Sequence, residues 1–129
     1  MLMSFFKGLS ILMAIGLSSA AWGQGAYPQK PVTLIVPFPA GGIADLSARA
    51  LKASFDKALG QPVLIVNRPG ASGAIGAAAV ASSNPDGYTL MYTLSSVASV
   101  PEQAVLNGQK APFTLDQFVP VARYRYELI

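Results

Sequence analysis

Two residue types with common catalytic and metal-binding uses are absent from this 129-residue chain, which contains no histidine and no cysteine. Without histidine, the chain cannot form a Ser-His-Asp or Cys-His nucleophile arrangement or a zinc site of the His type. Without cysteine, it has no disulfide bonds, no thiolate chemistry and no lipid attachment site of the lipoprotein kind. The common hydrolytic and redox arrangements are therefore excluded, and no cofactor or metal is predicted.

Charged residues are also scarce, at 12% of the chain, and nine Lys and Arg against six Asp and Glu give a net charge of +3. The basic residues are scattered along the sequence rather than clustered on one stretch. A nucleic-acid-binding surface needs basic residues that cluster on one face with aromatic residues between them. We therefore predict no nucleic-acid partner.

The first part of the chain has the pattern of a secretory signal. Met1–Lys7 carries a positive charge, Leu9–Leu17 is apolar, and Ser18–Ala21 supplies the small residues that a signal peptidase needs. The apolar run is too short to span a bilayer, which argues against the alternative of an N-terminal membrane anchor. We predict a secretory signal peptide at residues 1–26 and one exported domain at residues 27–129.

Apolar, β-branched runs alternate with helical patterns along the rest of the chain. The predicted strands are Val32–Val36, Val63–Val66 and Tyr88–Thr93, and the predicted helices are Ala44–Leu59, Ala74–Ser83 and Pro101–Leu106. This alternation predicts right-handed βαβ units, and hence an α/β fold in which helices flank a parallel sheet. For a strand order of 2-1-3, the point where ligands bind would lie between the first and third strands. We also predict a strand at Phe118–Tyr124, where Pro120 favours an edge position or a bulge, and the start of another strand at Tyr126–Ile129.

Two turns of the same design follow the first two strands. Pro37–Gly42 and Asn67–Gly73 both contain proline and glycine and both lead into a helix. Short strand-to-helix connections often use these residues without any further role. In a parallel sheet, however, both turns would lie at the edge where ligands bind. Their unpaired N–H groups suit a carboxylate or a phosphate, and Ser72, Thr93, Ser95 and Ser96 would add hydroxyl donors.

Other interpretations of these turns are weaker. Gly70, Gly73 and Gly76 do not have the spacing of the dinucleotide-binding fingerprint, and Ala74 stands where a nucleophile elbow around Ser72 needs glycine.

Asp45 has two interpretations, as a carboxylate that stabilises the helix start or as an acceptor for a ligand hydroxyl, amine or water. Arg68 is either a carboxylate clamp or a solvated residue of the turn.

Three motifs in order resemble those of the tripartite tricarboxylate transporter substrate-binding proteins, the Bug receptors. They are YPxxPVTLIVPFPAGG with Ala44-Asp45 at residues 27–45, LGQPV with VNRPGAxG at residues 59–73, and PDGYTL at residues 85–90. Phe118–Ala122 is similar to the family's next strand. The resemblance covers essentially the whole chain after the signal.

The resemblance implies the first domain of a two-domain periplasmic binding protein of the Venus-flytrap type, in an apparently truncated form without the second domain. It implies a non-enzymatic receptor that captures a dicarboxylate, a tricarboxylate or an aromatic acid and delivers it to the membrane permease subunits of the transporter. The ligand-binding positions carried over from the family are Phe38, Pro39, Ala40, Gly41, Asp45, Ala71, Ser72, Gly73, Ser95 and Ser96.

The chain departs from the family at two site positions. Ile43 follows the paired glycines where members often have a small residue, and Ser72 replaces a frequent glycine. Two other functions stay open at this point. One is a small secreted α/β enzyme that acts on carboxylated substrates with Ser72 or Asp45 as the catalytic residue, and the other is an inactive receptor fragment.

Overall fold

The structure is a computed structural model that describes residues 26–123 of the chain. The signal peptide predicted for residues 1–26 lies outside this range except for Ala26. The strand predicted to start at Tyr126 lies outside it as well. All structural statements below therefore concern residues 26–123.

A parallel sheet of three strands forms the centre of this part of the chain. The strands are β1 at Val32–Val36, β2 at Val63–Asn67 and β3 at Thr89–Met91, and their order is β2-β1-β3. Val32 lies opposite Val63, and Thr33 lies opposite Thr89. The predicted parallel sheet is confirmed. β1 is the central strand, and its side chains are almost all buried because helices cover both of its faces.

Three α-helices accompany the strands: α1 at Ile43–Leu59, α2 at Ala74–Ala81 and α3 at Val100–Leu106. α1 ends at Gly60, whose left-handed φ of 65° lets its N–H donate to the Asp56 carbonyl at 3.0 Å. α2 is rich in alanine and glycine, so it can lie close to the sheet. No helix within the described range is long and apolar enough to cross a membrane.

Two apolar clusters cover the two faces of the sheet. Val32, Leu34 and Val36 pack with α1 on one face, whereas Met91 belongs to the cluster of α2 and α3. Alternate residues of a strand point to opposite faces, which explains this division. The Phe38 side chain, just beyond β1, packs against both clusters. The turn after β1 is therefore attached to the whole of the core.

The predicted strand at Phe118–Tyr124 is wrong for residues 118–123, the part that the structure describes, because these residues form no strand. The Phe118 ring instead packs edge-on against Phe113, with 5.5 Å between the ring centroids. Pro120 has no N–H to donate to a sheet. Val119 and Val121 consequently remain 88% and 82% exposed.

The other differences from the predicted elements are small. α2 ends at Ala81 rather than Ser83, because the Ser82 and Ser83 hydroxyls donate to carbonyls of the last turn. β3 is shorter than predicted, although its pairing with β1 extends beyond its ends. The Thr33 N–H donates to the Tyr88 carbonyl at 2.8 Å, and the Tyr92 N–H donates to the Ile35 carbonyl at 2.9 Å.

Candidate functional site

The loop after β1 turns sharply and exposes its backbone. Pro37 is fully buried, whereas Pro39, Ala40 and Gly41 are exposed. The Gly42 N–H donates to the Pro39 carbonyl at 3.3 Å and closes the turn, and Gly41 has a left-handed φ of 80°. The loop is thus fixed at one end by a buried proline and presents small residues to solvent.

Asp45 holds this loop in place. Its carboxylate accepts the Gly41 N–H at 2.8 Å, the Arg49 Nε at 2.9 Å and the Asn67 side-chain amide at 3.0 Å. The same Asn67 amide donates to the Phe38 carbonyl at 3.2 Å. The side chain is 2% exposed although it is charged. It therefore ties the loop after β1 to helix α1 and to the end of β2.

The charge of Asp45 is stabilised by these donors. Above all the Arg49 side chain, and then the Gly41 N–H, lower the pKa of the Asp45 carboxyl from 3.8 to about 2, with a smaller contribution from Asn67. Burial acts in the opposite direction but is outweighed. The carboxylate is consequently ionised and hydrogen-bonded at neutral pH. This favours its interpretation as a residue that stabilises the loop and the start of α1, where it is the third helical residue.

The loop after β2 has a run of left-handed backbone. Gly70, Ala71, Ser72 and Gly73 have φ values of 131°, 46°, 55° and 95°. The left-handed conformation costs a residue with a Cβ about 1–2 kcal/mol, so Ala71 and Ser72 are strained. A bond of 2.9 Å from the Gly73 N–H to the Gly70 carbonyl closes the turn. Ala71 and Ser72 are exposed at its tip.

The three loops meet at the same edge of the sheet. A Cβ placed on Gly73 would lie 2.8 Å from Val97 Cγ2 and 3.5 Å from Pro37 Cβ, so this glycine lies between the loops after β1 and β3. Val97 is buried within a 3-10 turn at Ser95–Ser99. Ser95 and Ser96 are exposed on that turn. The two turns predicted from the sequence therefore lie together at this edge, and the loop after β3 joins them there.

The site residues predicted from the sequence fall into two groups. Those exposed at or near this edge are Pro39, Ala40, Gly41, Ala71, Ser72, Ser95 and Ser96, with Phe38 half-buried among them, while Asp45 and Gly73 are buried beneath the surface. The Arg68 side chain is exposed and makes no hydrogen bond or ion pair within residues 26–123, whereas its N–H continues the ladder to the Val36 carbonyl at 2.9 Å.

The exposed edge offers hydrogen-bond donors of the backbone. Within residues 26–123, no acceptor is found for the N–H groups of Ala40, Ala71 and Ser72, whereas the Gly41 N–H is occupied by Asp45. Free N–H groups on small residues can approach an anion closely. The described range also contains no group of acidic residues that could hold a metal ion. The arrangement can bind an anion, and the described residues offer no nucleophile paired with a base.

Sequence reasoning missed the roles of Arg49 and Asn67. Arg49 follows Asp45 by four residues, a spacing that places two side chains side by side on a helix, so this pair was detectable. The Arg49 Nη2 also donates to the Asn67 side-chain oxygen at 3.3 Å. The link to Asn67 had no such signal, because it depends on the packing of α1 beside the end of β2.

Comparisons with known proteins find relatives in sequence and in structure. Residues 47–129 match the family model of the tripartite tricarboxylate transporter family receptor. The BugT protein of Bordetella pertussis is 46% identical over 92 residues, which are 67% of this chain and 28% of that protein. A UPF0065 protein from the gbd 5′ region of Cupriavidus necator is 35% identical over 118 residues, or 90% of this chain and 36% of that protein.

A solved structure described as a periplasmic transporter is similar as well. It is 41% identical in sequence and superposes with a TM-score of 0.60 over 69% of this chain and 29% of its own length. The chain thus spans about a third or less of the proteins that it matches.

Proposed function

Because the chain belongs to the tripartite tricarboxylate transporter receptor family, we propose that it is a solute-binding receptor for a small carboxylated organic acid. The receptors of this family are periplasmic solute-binding proteins, and the solved relative is a periplasmic transporter protein. The observation that carries the proposal is the meeting of three exposed loops at one edge of the sheet. Within residues 26–123 the N–H groups of Ala40, Ala71 and Ser72 have no acceptor, and they belong to loops at the edge where parallel sheets bind ligands.

In the proposed complex, the ligand carboxylate lies between the loops after β1 and β2. The N–H groups of Ala40, Ala71 and Ser72 donate to its oxygens, and the hydroxyls of Ser72, Ser95 and Ser96 provide further donors. Charge-assisted bonds of this type are about twice as strong as bonds between neutral groups. Pro39 and Phe38 supply apolar contacts, and Gly73 allows the loops to approach.

Asp45 and Gly41 act indirectly in this proposal. The Asp45 carboxylate is engaged by Gly41, Arg49 and Asn67, so it holds the loop in its binding conformation. The ionised Asp45 carboxylate beneath the site would by itself repel an anion. The positive charge of Arg49, 2.9 Å from that carboxylate, offsets the repulsion.

The proposed partners follow from the family. The receptor would bind its acid in the periplasm after removal of the signal peptide and would deliver it to the permease subunits of a tripartite tricarboxylate transporter. Di- and tricarboxylates and aromatic acids are the candidate ligands. Backbone donors recognise a carboxylate and leave the rest of the ligand to other contacts.

Isothermal titration calorimetry of the chain against a panel of these acids tests the proposal. We expect saturable binding by at least one acid. The Ala40→Trp variant should abolish binding, because an indole ring at this exposed position would fill the space above the loops. An absence of saturable heat for every acid in the panel would contradict the proposal.

The matched control is Ala53→Trp, which places the same ring on the exposed side of α1. Binding should be unchanged in this variant. Equal losses in both variants would indicate a general effect of the added tryptophan and would count against the loop site.

A further inference from the structure

A groove of about 690 Å³ lies between α2 and α3 and shares two lining residues with the proposed carboxylate site. Ala71 and Ser72, at the tip of the loop after β2, are part of its lining. The volume lies within the range of about 300–1,000 Å³ that is usual for small-molecule sites. A ligand held at the loops therefore has room to extend between the two helices.

The groove is lined by both apolar and polar residues. Ile75, Ala78, Val100 and Ala104 contribute apolar walls, while Gln103, Asn107, Gln109 and Lys110 contribute polar groups. Val100 begins α3 and packs in the same cluster as Ala74, the residue that begins α2. Lys110 lies beyond the other end of α3. Because a helix rises 1.5 Å per residue, the two ends of α3 are about 9 Å apart.

The charge of the groove has one sign. Lys110 is the only charged side chain among the lining residues in the described range, and it forms no ion pair within residues 26–123. Three side-chain amides surround the same region and can donate hydrogen bonds. A cation with amide donors, in a groove whose lining residues include no carboxylate, suits a second anionic group.

We infer that Lys110 is a specificity-determining residue that binds the second carboxylate of a linear dicarboxylate. This inference rests on the proposed function, since the first carboxylate is held by the loops after β1 and β2. The methylene chain of the ligand lies against the apolar walls formed by α2 and α3. A monocarboxylate of the same length fills the same groove but lacks the contact with Lys110.

Calorimetric titration with suberate and octanoate, which have equal chain lengths, tests the role of Lys110 separately from the binding of the first carboxylate by the loops. We expect suberate to bind about fivefold to tenfold more tightly, as for one charge-assisted contact in a partly exposed groove. The Lys110→Gln variant should lose this preference and keep its affinity for octanoate. The preference should also decrease at high salt, because an exposed charge pair is screened.

The Lys57→Gln variant is the matched control, since it removes one positive charge from α1, outside the groove lining. It should keep the preference for suberate. Equal affinities for the two acids, or an unchanged preference in Lys110→Gln, would overturn the inference about Lys110 even if octanoate binds. Failure of both acids and of the wider panel to bind would instead contradict the proposed function.

Discussion

Asp45 is a buried, charged residue that supports the loop after β1 of the proposed site. It is 2% exposed, yet its carboxylate is ionised because Arg49, Gly41 and Asn67 donate to it. These bonds connect the loop after β1 with α1 and with the end of β2. The loop therefore keeps its open backbone conformation before any ligand arrives.

The lowered pKa of Asp45 predicts a dependence of stability on acid pH. The carboxyl has a pKa of about 2 in the folded chain against an ordinary value of 3.8. Its contribution to the free energy of unfolding is complete above the ordinary value and is lost as the pH falls towards 2. Urea unfolding between pH 7 and pH 2.5 should show this decline.

Asp45→Asn is the comparison for this pH series. The variant should be less stable than the parent at pH 7 and should lose less stability as the pH falls. Some decline should persist, since Lys52 and the Val63 N–H also lower the pKa of Asp56. Parallel curves for parent and variant would contradict the role assigned to Asp45.

Ser72 carries backbone strain at the site. Its φ of 55° is unfavourable for any residue with a Cβ. Ser72→Gly should therefore raise the free energy of unfolding by about 1 kcal/mol, the gain from relieved strain being partly offset by the entropy of glycine in the unfolded chain. The same variant should bind the ligand less tightly, because it lacks the hydroxyl donor.

Ser54→Gly is the control, and it should change the free energy of unfolding in the opposite direction. Ser54 is exposed within α1, where glycine costs up to about 1 kcal/mol relative to better helix formers. Chemical denaturation should thus move the two variants in opposite directions. A destabilised Ser72→Gly would mean that the left-handed conformation at this position causes no strain.

Helix α2 lies unusually close to the loop after β1 because of Gly76. A Cβ on Gly76 would lie 2.7 Å from Pro37 Cβ and 2.8 Å from the Arg68 carbonyl oxygen. The absence of a side chain at this point allows α2 to pack against the buried proline. The helix thereby fixes the relative position of the two loops of the proposed site.

Gly76→Ala should therefore destabilise the chain despite the better helix propensity of alanine. Overpacking of this kind costs about 1–3 kcal/mol, and the propensity gain of up to about 1 kcal/mol does not offset it. Ser54→Ala, on the exposed side of α1, should be neutral or slightly stabilising. A Gly76→Ala variant as stable as the parent would show that α2 can move away from Pro37 at little cost.

The elements that could be predicted from the sequence are those with strong local signals. β1 has an unbroken apolar run, and α1 has a repeating apolar stripe that ends at Gly60, so both were predicted nearly to the residue. The strand predicted at Phe118–Tyr124 was wrong because Phe118 packs on Phe113, a contact that local composition does not report. The bond between Asn67 and Asp45 was missed for a related reason, since it joins residues 22 positions apart.

The described part of the molecule has one core with two faces. The cluster under α1 and the cluster under α2 and α3 lie on opposite sides of the sheet, and Phe38 packs against both. The loop after β1 is therefore coupled to the folding of both layers. The proposed site cannot form unless the sheet and the helices on both of its faces are in place.

This coupling predicts that the chain unfolds in a single transition. Far-UV circular dichroism and tyrosine fluorescence should give coincident urea curves, with a slope of about 1–3 kcal/mol per molar urea. Phe38→Ala should lower the midpoint of both curves together. Separate midpoints for the two probes would indicate that the two faces of the sheet unfold independently.

The most direct test of the binding site is a nuclear magnetic resonance titration of the ¹⁵N-labelled chain with a carboxylate that binds. We expect the largest amide shifts at Ala40, Ala71 and Ser72, with smaller shifts at Ser95 and Ser96. Gly41 should shift little because its N–H is held by Asp45. Saturable shifts confined to other parts of the chain, with the amides of Ala40, Ala71, Ser72, Ser95 and Ser96 unmoved, would contradict the proposed site.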